Sequence, residues 1–386
     1  MSRQVDRFDA AVVGAGIIGL AHAYELARRG RSVVVVERSA RAHGASIRNF
    51  GMVWPIGQPS GDRLGLAMRS SETWSQIIDQ AGLWCDRAGS LHLAYQDDEA
   101  RVLQEFTESA HARDDYSKQL LKPAEVAQLA PRVRPEGLLC GLHSQSELGV
   151  DPREALPRVA QWLANAHGVQ FRFGCLATGF DNQVLKTSSG PMGAETLFVC
   201  SGSDLQTLYP ESLATAGLVP CKLQMMRAVL DGFPHQSFGP MLASGLTLRH
   251  YPAFRDCPSL PALCERLDRE VPELGRLGIH ILVSQTRDGE LTLGDSHEYG
   301  DAIDPFDKPE IDDLILRRLD TFLDTTGLTI TSRWHGLYVK HLTEPYVVLK
   351  PAPGVVAVTG LGGAGMTLSF GLAERVVQEF FQSAGV

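Results

Sequence analysis

The chain has 386 residues, 44% of them apolar and 21% charged, with a formal net charge of −9. That length exceeds one core and implies two domains, while the negative charge disfavours nucleic acid as a partner and no apolar run reaches membrane-spanning length. The cysteines Cys85, Cys140, Cys175, Cys200, Cys221, Cys257 and Cys264 are odd in number and lack a C-x-x-C pair, so a reduced, cytoplasmic protein without leader, anchor or metal site is expected.

The first element is the most informative. Asp9–Val13 reads as a buried strand, Gly14-Ala15-Gly16-Ile17-Ile18-Gly19 as a glycine turn, and Ile17–Arg29 as a helix. Val33–Val36 is a second strand, and it ends on Glu37, eighteen residues beyond Gly19. This is the dinucleotide-binding βαβ unit. Gly14 permits the turn, Gly16 lets the backbone approach a pyrophosphate, and Gly19 lets helix and strand pack closely. The helix N-terminus aims free N–H groups at phosphate. Glu37 is placed to accept from a ribose diol and repels a 2′-phosphate, which argues against NADP. Arg38 follows directly. The turn-forming stretch Arg41–Met52, with Ser46, Arg48, Asn49, Gly51 and Met52, replaces the helix of a typical NAD dehydrogenase. Such a loop can wall in a longer ring, which favours FAD.

Further along, Arg63–Ala81 reads as a helix, His92–Gln96 as a strand, Asp97–Arg113 as a charged amphipathic helix, and Lys122–Ala130 as a short helix ended by Pro131. Asp151 caps a helix over Arg153–His167, with Pro152 in its first turn. Val169–Phe173 and Glu195–Val199 are strands, the latter running into Cys200-Ser201-Gly202. The middle of the chain alternates as strands: Leu223–Leu230, Thr247–Tyr251, His280–Thr286 and Glu290–Leu293. Asp288-Gly289 makes a hairpin between the last two. Asp312–Thr326 reads as a long helix. Val355–Thr359 is again a buried strand, Gly360–Thr367 a glycine-rich turn, and Leu368–Gln382 a terminal helix. The expected fold is α/β with an α+β insertion: a Rossmann-like nucleotide domain beside a second, mostly antiparallel sheet. Residues 1–85, 147–218 and 335–386 form the first domain in this reading, and 86–146 and 219–334 the second.

The set Val13–Gly19, Glu37-Arg38, Gly44-Ala45-Ser46, Arg48-Asn49, Val150-Asp151-Pro152, Cys200-Ser201-Gly202, Asp288–Asp295 and Gly360–Thr367 resembles the flavoprotein superfamily of D-amino-acid oxidase, glycine oxidase and monomeric sarcosine oxidase. The likeness runs over nearly the full chain. It implies that Leu176, Ser201 and Gly202 also meet the coenzyme. By the same resemblance, Gly362, Gly363, Gly365, Met366 and Thr367 place N–H groups at the flavin's pyrimidine end. Sarcosine-oxidase relatives attach flavin through a cysteine near Gly336; no cysteine follows Cys264, so the resemblance implies non-covalent FAD. The arginine that pairs with a substrate carboxylate in amino-acid oxidases is also missing from Gly336-Leu337-Tyr338-Val339-Lys340-His341.

A narrower likeness lies in Arg48–Pro59 and Gly294–Tyr299. These segments resemble a branch associated with phosphonate breakdown, implying oxidation of 2-aminoethylphosphonate or its N-methyl derivative. A phosphonate carries close to two negative charges and calls for several cationic donors. The substrate-site candidates are Arg48, Arg249, His250, His297, Lys340 and His341, with Trp54, Tyr251, Tyr338 and Tyr346 as apolar walls. The flavin carries the chemistry, so no catalytic side chain is required. A small amine and oxygen, or another acceptor, are the expected partners. The alternatives are a D-amino-acid, glycine or sarcosine enzyme, a dehydrogenase, and a flavin-holding subunit of a larger assembly.

Overall fold

The structure is a computed structural model that describes residues 6–109, 117–231 and 237–384; the end of the helix expected over Asp97–Arg113 lies outside them. The opening unit forms as its residue pattern dictates. Strand β1 (Arg7–Val13) has Ala10, Ala11 and Val12 fully buried, so it is covered on both faces, as a central parallel strand must be. Helix α1 (Ile17–Arg28) follows, then strand β2 (Val33–Glu37) returns parallel to β1 with Ala10 opposite Val33 and Val13 opposite Val36.

Around this unit builds an eight-stranded sheet. Its path runs Val347–Ala352, Val355–Thr359, Met192–Val199, β1, β2 and Gln170–Phe173, with the hairpin Ala177–Asp181/Val184–Thr187 attached at Met192–Val199. Residues near both ends of the chain therefore share one sheet. Helix Asp62–Ala81 and helix Gly365–Ala384 pack with α1 on one face, joined by Trp74, whose indole N–H donates to the Met366 carbonyl at 2.9 Å.

The second sheet has nine strands, with adjacent members antiparallel except for Met241–Ala243 beside Ser90–Ala94. Its longest pair is Leu218–Leu230 with Leu328–His341, in register from Leu218 opposite His341 to Leu230 opposite Leu328. This pair brings Tyr338 and Lys340 back towards the first sheet. A two-stranded ribbon, Met52–Val53 with Leu148–Gly149, lies apart from both sheets. Mixed α/β architecture with this antiparallel sheet is what the patterning implied.

Two expected elements differ. Thr247–His250 is a helical turn, not a strand: Thr247 Oγ1 and N both donate to Ser244 O, which starts the turn. The helix expected over Asp312–Thr326 runs Pro309–Leu319 instead. Past Leu319, side chains take over the hydrogen bonding: Thr325 Oγ1 donates to Asp320 Oδ1 at 2.5 Å and Thr321 Oγ1 to Arg318 O at 2.7 Å.

Candidate active site

Two cavities adjoin between the sheets. The first, of about 440 Å³, begins at the turn between β1 and α1. Gly14 sits at φ +100°, and a Cβ there would run into the Cys200 carbonyl. Glu37 braces the turn: its Oε2 accepts from Ala15 N at 2.9 Å and its Oε1 from Ser39 N at 3.0 Å. Ser46 Oγ accepts from Ile17 N at 3.0 Å, and no side chain of Gly16 caps the helix. A helix N-terminus, a glycine approach and an acidic strand end therefore open onto one cavity, which is the donor set a dinucleotide needs.

Of the coenzyme candidates, Gly14, Gly16, Ile17, Ile18, Glu37, Arg38, Ser46, Arg48, Asn49, Leu176, Ser201, Gly202, Gly362, Gly363, Gly365 and Met366 line this cavity. Met52 and Thr367 line the second cavity instead. Thr367 Oγ1 accepts from Trp54 N at 2.9 Å, so it ties the terminal helix to the cavity wall. Ala15, Gly19 and Gly51 line neither. Gly19 lies where a Cβ would strike the Gly14 carbonyl, and Gly51 where it would strike that of Val150. They shape the wall from behind.

The second cavity, of about 570 Å³, receives Trp54, Arg249, His250, Tyr251, His297, Tyr338, Lys340 and His341. Arg48 is the exception among the substrate candidates: it lines the first cavity, and its Nη1 donates to His335 O at 3.2 Å. Tyr346 is no wall either; its hydroxyl accepts from Arg375 Nη1 at 3.1 Å. Arg249 is held by Asp268 at 3.0 Å, which neutralises much of its charge.

Sequence reasoning missed Arg63, Arg255, His280 and Asp295, all of which line this cavity. Among the described residues, Arg63, Arg255 and Lys340 have no carboxylate partner, and Arg63 Nε is buried without a hydrogen bond. Desolvation first, then the neighbouring Arg255, lowers the Arg63 pKa. Lys340 lies 4.9 Å from the Tyr299 ring centroid and 3.5 Å from its hydroxyl.

Three imidazoles gather here. The centroids of His250 and His280 are 3.8 Å apart, and those of His280 and His297 5.1 Å. Their ring nitrogens lie within 4.8 Å of one another, the one group among the described residues with metal-ligand spacing. His297 Nδ1 bonds the Gly278 carbonyl at 2.9 Å. Burial lowers the His280 pKa, and desolvation, then the neighbouring His297 and Lys340, lowers that of His250, whose side chain opens onto the cavity. Asp295 faces them, with Oδ1 3.2 Å from His280 Nε2, and its burial raises its pKa to about 6.

Asn49, Phe50, Asp295, Tyr338, Gly360, Leu361, Gly362, Gly363 and Met366 line both cavities and mark their junction. A nucleotide cradle opening side by side with a basic, aromatic chamber is the layout of a flavin-dependent oxidoreductase. The family match fits that layout: residues 9–379 match the model of the DAO family, described as FAD dependent oxidoreductase, and the chain belongs to that family. It is an FAD enzyme.

Among curated proteins, it is 24% identical over 390 residues to gamma-glutamylputrescine oxidoreductase of Escherichia coli (strain K12), covering 97% of this chain and 83% of that protein. It is also 24% identical over 208 residues to glycine oxidase of Geobacillus kaustophilus, where the match spans 51% of this chain and 55% of that one. Among solved structures, L-proline dehydrogenase from P. horikoshii superposes with TM-score 0.80 at 18% identity, covering 98% and 95% of the two chains. Glycine oxidase from Bacillus cereus ATCC 14579 gives 0.77 at 19%, covering 97% and 95%. These likenesses show the fold. No helix among the described residues is long and apolar enough to cross a membrane.

Proposed function

We propose that this enzyme oxidises a small amine bearing an anionic headgroup, an aminophosphonate such as 2-aminoethylphosphonate or its N-methyl derivative. One observation carries the reading: Arg63, Arg255 and Lys340 line one cavity without a carboxylate partner among the described residues. A phosphonate offers three oxygens through which more than one of these cations can be engaged. Trp54 and Tyr251, 6.2 Å apart between ring centroids, supply an apolar wall for the short carbon chain.

In this proposal residues 1–85, 147–218 and 335–386 hold FAD, non-covalently, and 86–146 with 219–334 supply most of the substrate chamber. The backbone N–H groups of Gly16 and Ile18 hold the pyrophosphate and Glu37 the ribose. The helix beginning at Gly365 and the turn Gly362–Ala364 present N–H groups at the cavity junction. FAD held there would supply the hydride acceptor for the carbon beside nitrogen. The resulting imine hydrolyses to an aldehyde, and oxygen is the electron acceptor, giving hydrogen peroxide.

The test is anaerobic flavin bleaching across a panel of aminophosphonates, glycine, sarcosine, D-amino acids and γ-glutamylputrescine. Fastest bleaching at the lowest concentration with an aminophosphonate supports the proposal; preference for any carboxylate amine overturns it. Peroxide yield under air decides the acceptor, since rapid dye reduction without peroxide means a dehydrogenase.

A further inference from the structure

An amine reaches the site as an ammonium ion, and only its neutral form has the lone pair that hydride loss requires. With an amine pKa of about 10, deprotonation at pH 7 costs roughly 4 kcal/mol. That proton needs an acceptor at the site. Of the residues lining both cavities, Asp295 is the only one with a carboxyl group. Its side chain is buried, with Oδ1 3.2 Å from His280 Nε2 and Oδ2 3.9 Å from His297 Nε2, so the imidazoles hold the carboxyl group at the junction.

The position is fixed by the backbone. Asp295 N donates to His280 O at 2.9 Å, and His280 N donates to Asp295 O at 3.2 Å, so the two residues are locked opposite each other. His280 is 3% exposed and neither of its ring nitrogens has a hydrogen-bond partner. Its ring lies against His250, which opens onto the second cavity. Asp295, His280 and His250 thus form a continuous file from the cavity junction into the substrate chamber.

We propose that the Asp295 carboxylate is the base that takes the proton from the substrate ammonium, with His280 as the residue that positions it. The N–H bond of the ammonium breaks, an O–H bond forms on Asp295, and the electron pair stays on nitrogen. No electrons change hands in this step, so no oxidant is consumed.

The electrostatics agree with the assignment. Burial leaves Asp295 a stronger base than an exposed carboxylate, with a pKa of about 6, still ionised at neutral pH. The other titratable groups facing it are His297, Tyr251, Cys221, Tyr299 and Tyr338, and the last four have raised pKa values that keep them uncharged. Lys340 adds a positive charge beside His250 and Tyr299.

The inference rests on an amine substrate and is independent of the headgroup. It is tested on whichever amine of the panel bleaches the flavin, so failure of the aminophosphonate reading leaves it open to trial. Asp295→Asn holoenzyme should reduce its flavin at least about 100-fold more slowly at pH 7. The deficit should shrink about tenfold per pH unit towards the amine pKa, while the wild type levels off near neutrality. Asp295→Glu should restore the plateau in part, and His280→Asn should slow reduction without moving the limb. A second measurement reads the base directly. Binding of an analogue with no hydrogen on the carbon beside nitrogen should raise a protonated-carboxyl band in the infrared difference spectrum of wild type, absent from Asp295→Asn. A wild-type pH profile in Asp295→Asn, or the same infrared band in both proteins, overturns the proposal. So does a stoichiometric metal whose removal by chelation abolishes reduction, because the histidines would then be its ligands.

Discussion

Gly51 sits at φ +74° with the Val150 carbonyl lying where a Cβ would go, and Val150 N donates to Gly51 O at 3.0 Å. Left-handed backbone alone costs a side-chain-bearing residue about 1–3 kcal/mol, before any steric displacement. Gly51→Ala should therefore lower stability by at least about 2 kcal/mol, measured by denaturant titration of the holoenzyme. Arg63 carries a different kind of prediction. Removing a half-buried cation that meets an anionic headgroup costs about 2 kcal/mol, so Arg63→Ala should raise KM for an aminophosphonate about 30-fold. Turnover of a headgroup-free amine should change far less, and an equal loss on both amines would contradict the assigned role. Arg255, being exposed, should show the same pattern more weakly. These two arginines also show where residue-level reading of the chain stops. Lys340 and His341 stand beside a recognisable glycine segment, whereas Arg63 opens a surface-patterned helix and Arg255 follows a helical turn. Nothing local in either stretch announces that the fold brings both guanidinium groups to the same wall.

At the scale of elements, the clearest features are those whose chemistry is local. The β1–α1–β2 unit was legible because turn, helix start and acidic strand end lie within about thirty residues. Thr247–Tyr251 was not, because four or five residues cannot separate a strand period from a helical one. The long helix misjudged beyond Leu319 ends where Asp320, Thr321, Asp324 and Thr325 compete for backbone groups. Helix caps give measurable handles on this level. Asp151 Oδ1 accepts from Arg153 N at 3.0 Å at the start of helix Pro152–His167. Asp151→Ala should cost about 1 kcal/mol, read as a lower denaturation midpoint with unchanged slope. Ser46 braces α1 in the same sense from another loop. Its loss leaves Ile17 N without that partner, and Ser46→Ala should weaken FAD binding about fivefold by titration of the apoprotein.

For the whole molecule, buried histidines set the acid limit. His92 is 1% exposed, packed 5.5 Å from the centroids of both Trp54 and Phe254, and burial lowers its pKa to about 3. His22 is likewise lowered to about 4. A histidine whose folded pKa is depressed supports the fold fully above its ordinary value of 6.5 and loses that support as pH falls below it. His92→Leu should therefore gain on wild type as pH drops from 6.5 to 4, by about 3 kcal/mol, followed as the difference in unfolding free energy. A constant difference across that range would show that His92 does not titrate on unfolding. The first sheet has a consequence of another sort. Met192–Val199 lies between β1 and Val355–Thr359, so a growing polypeptide cannot complete the flavin cradle until Val355–Thr359 and the helix after it have left the ribosome. Until then the exposed sheet edges invite wrong pairing, and the coenzyme has no finished cradle to enter.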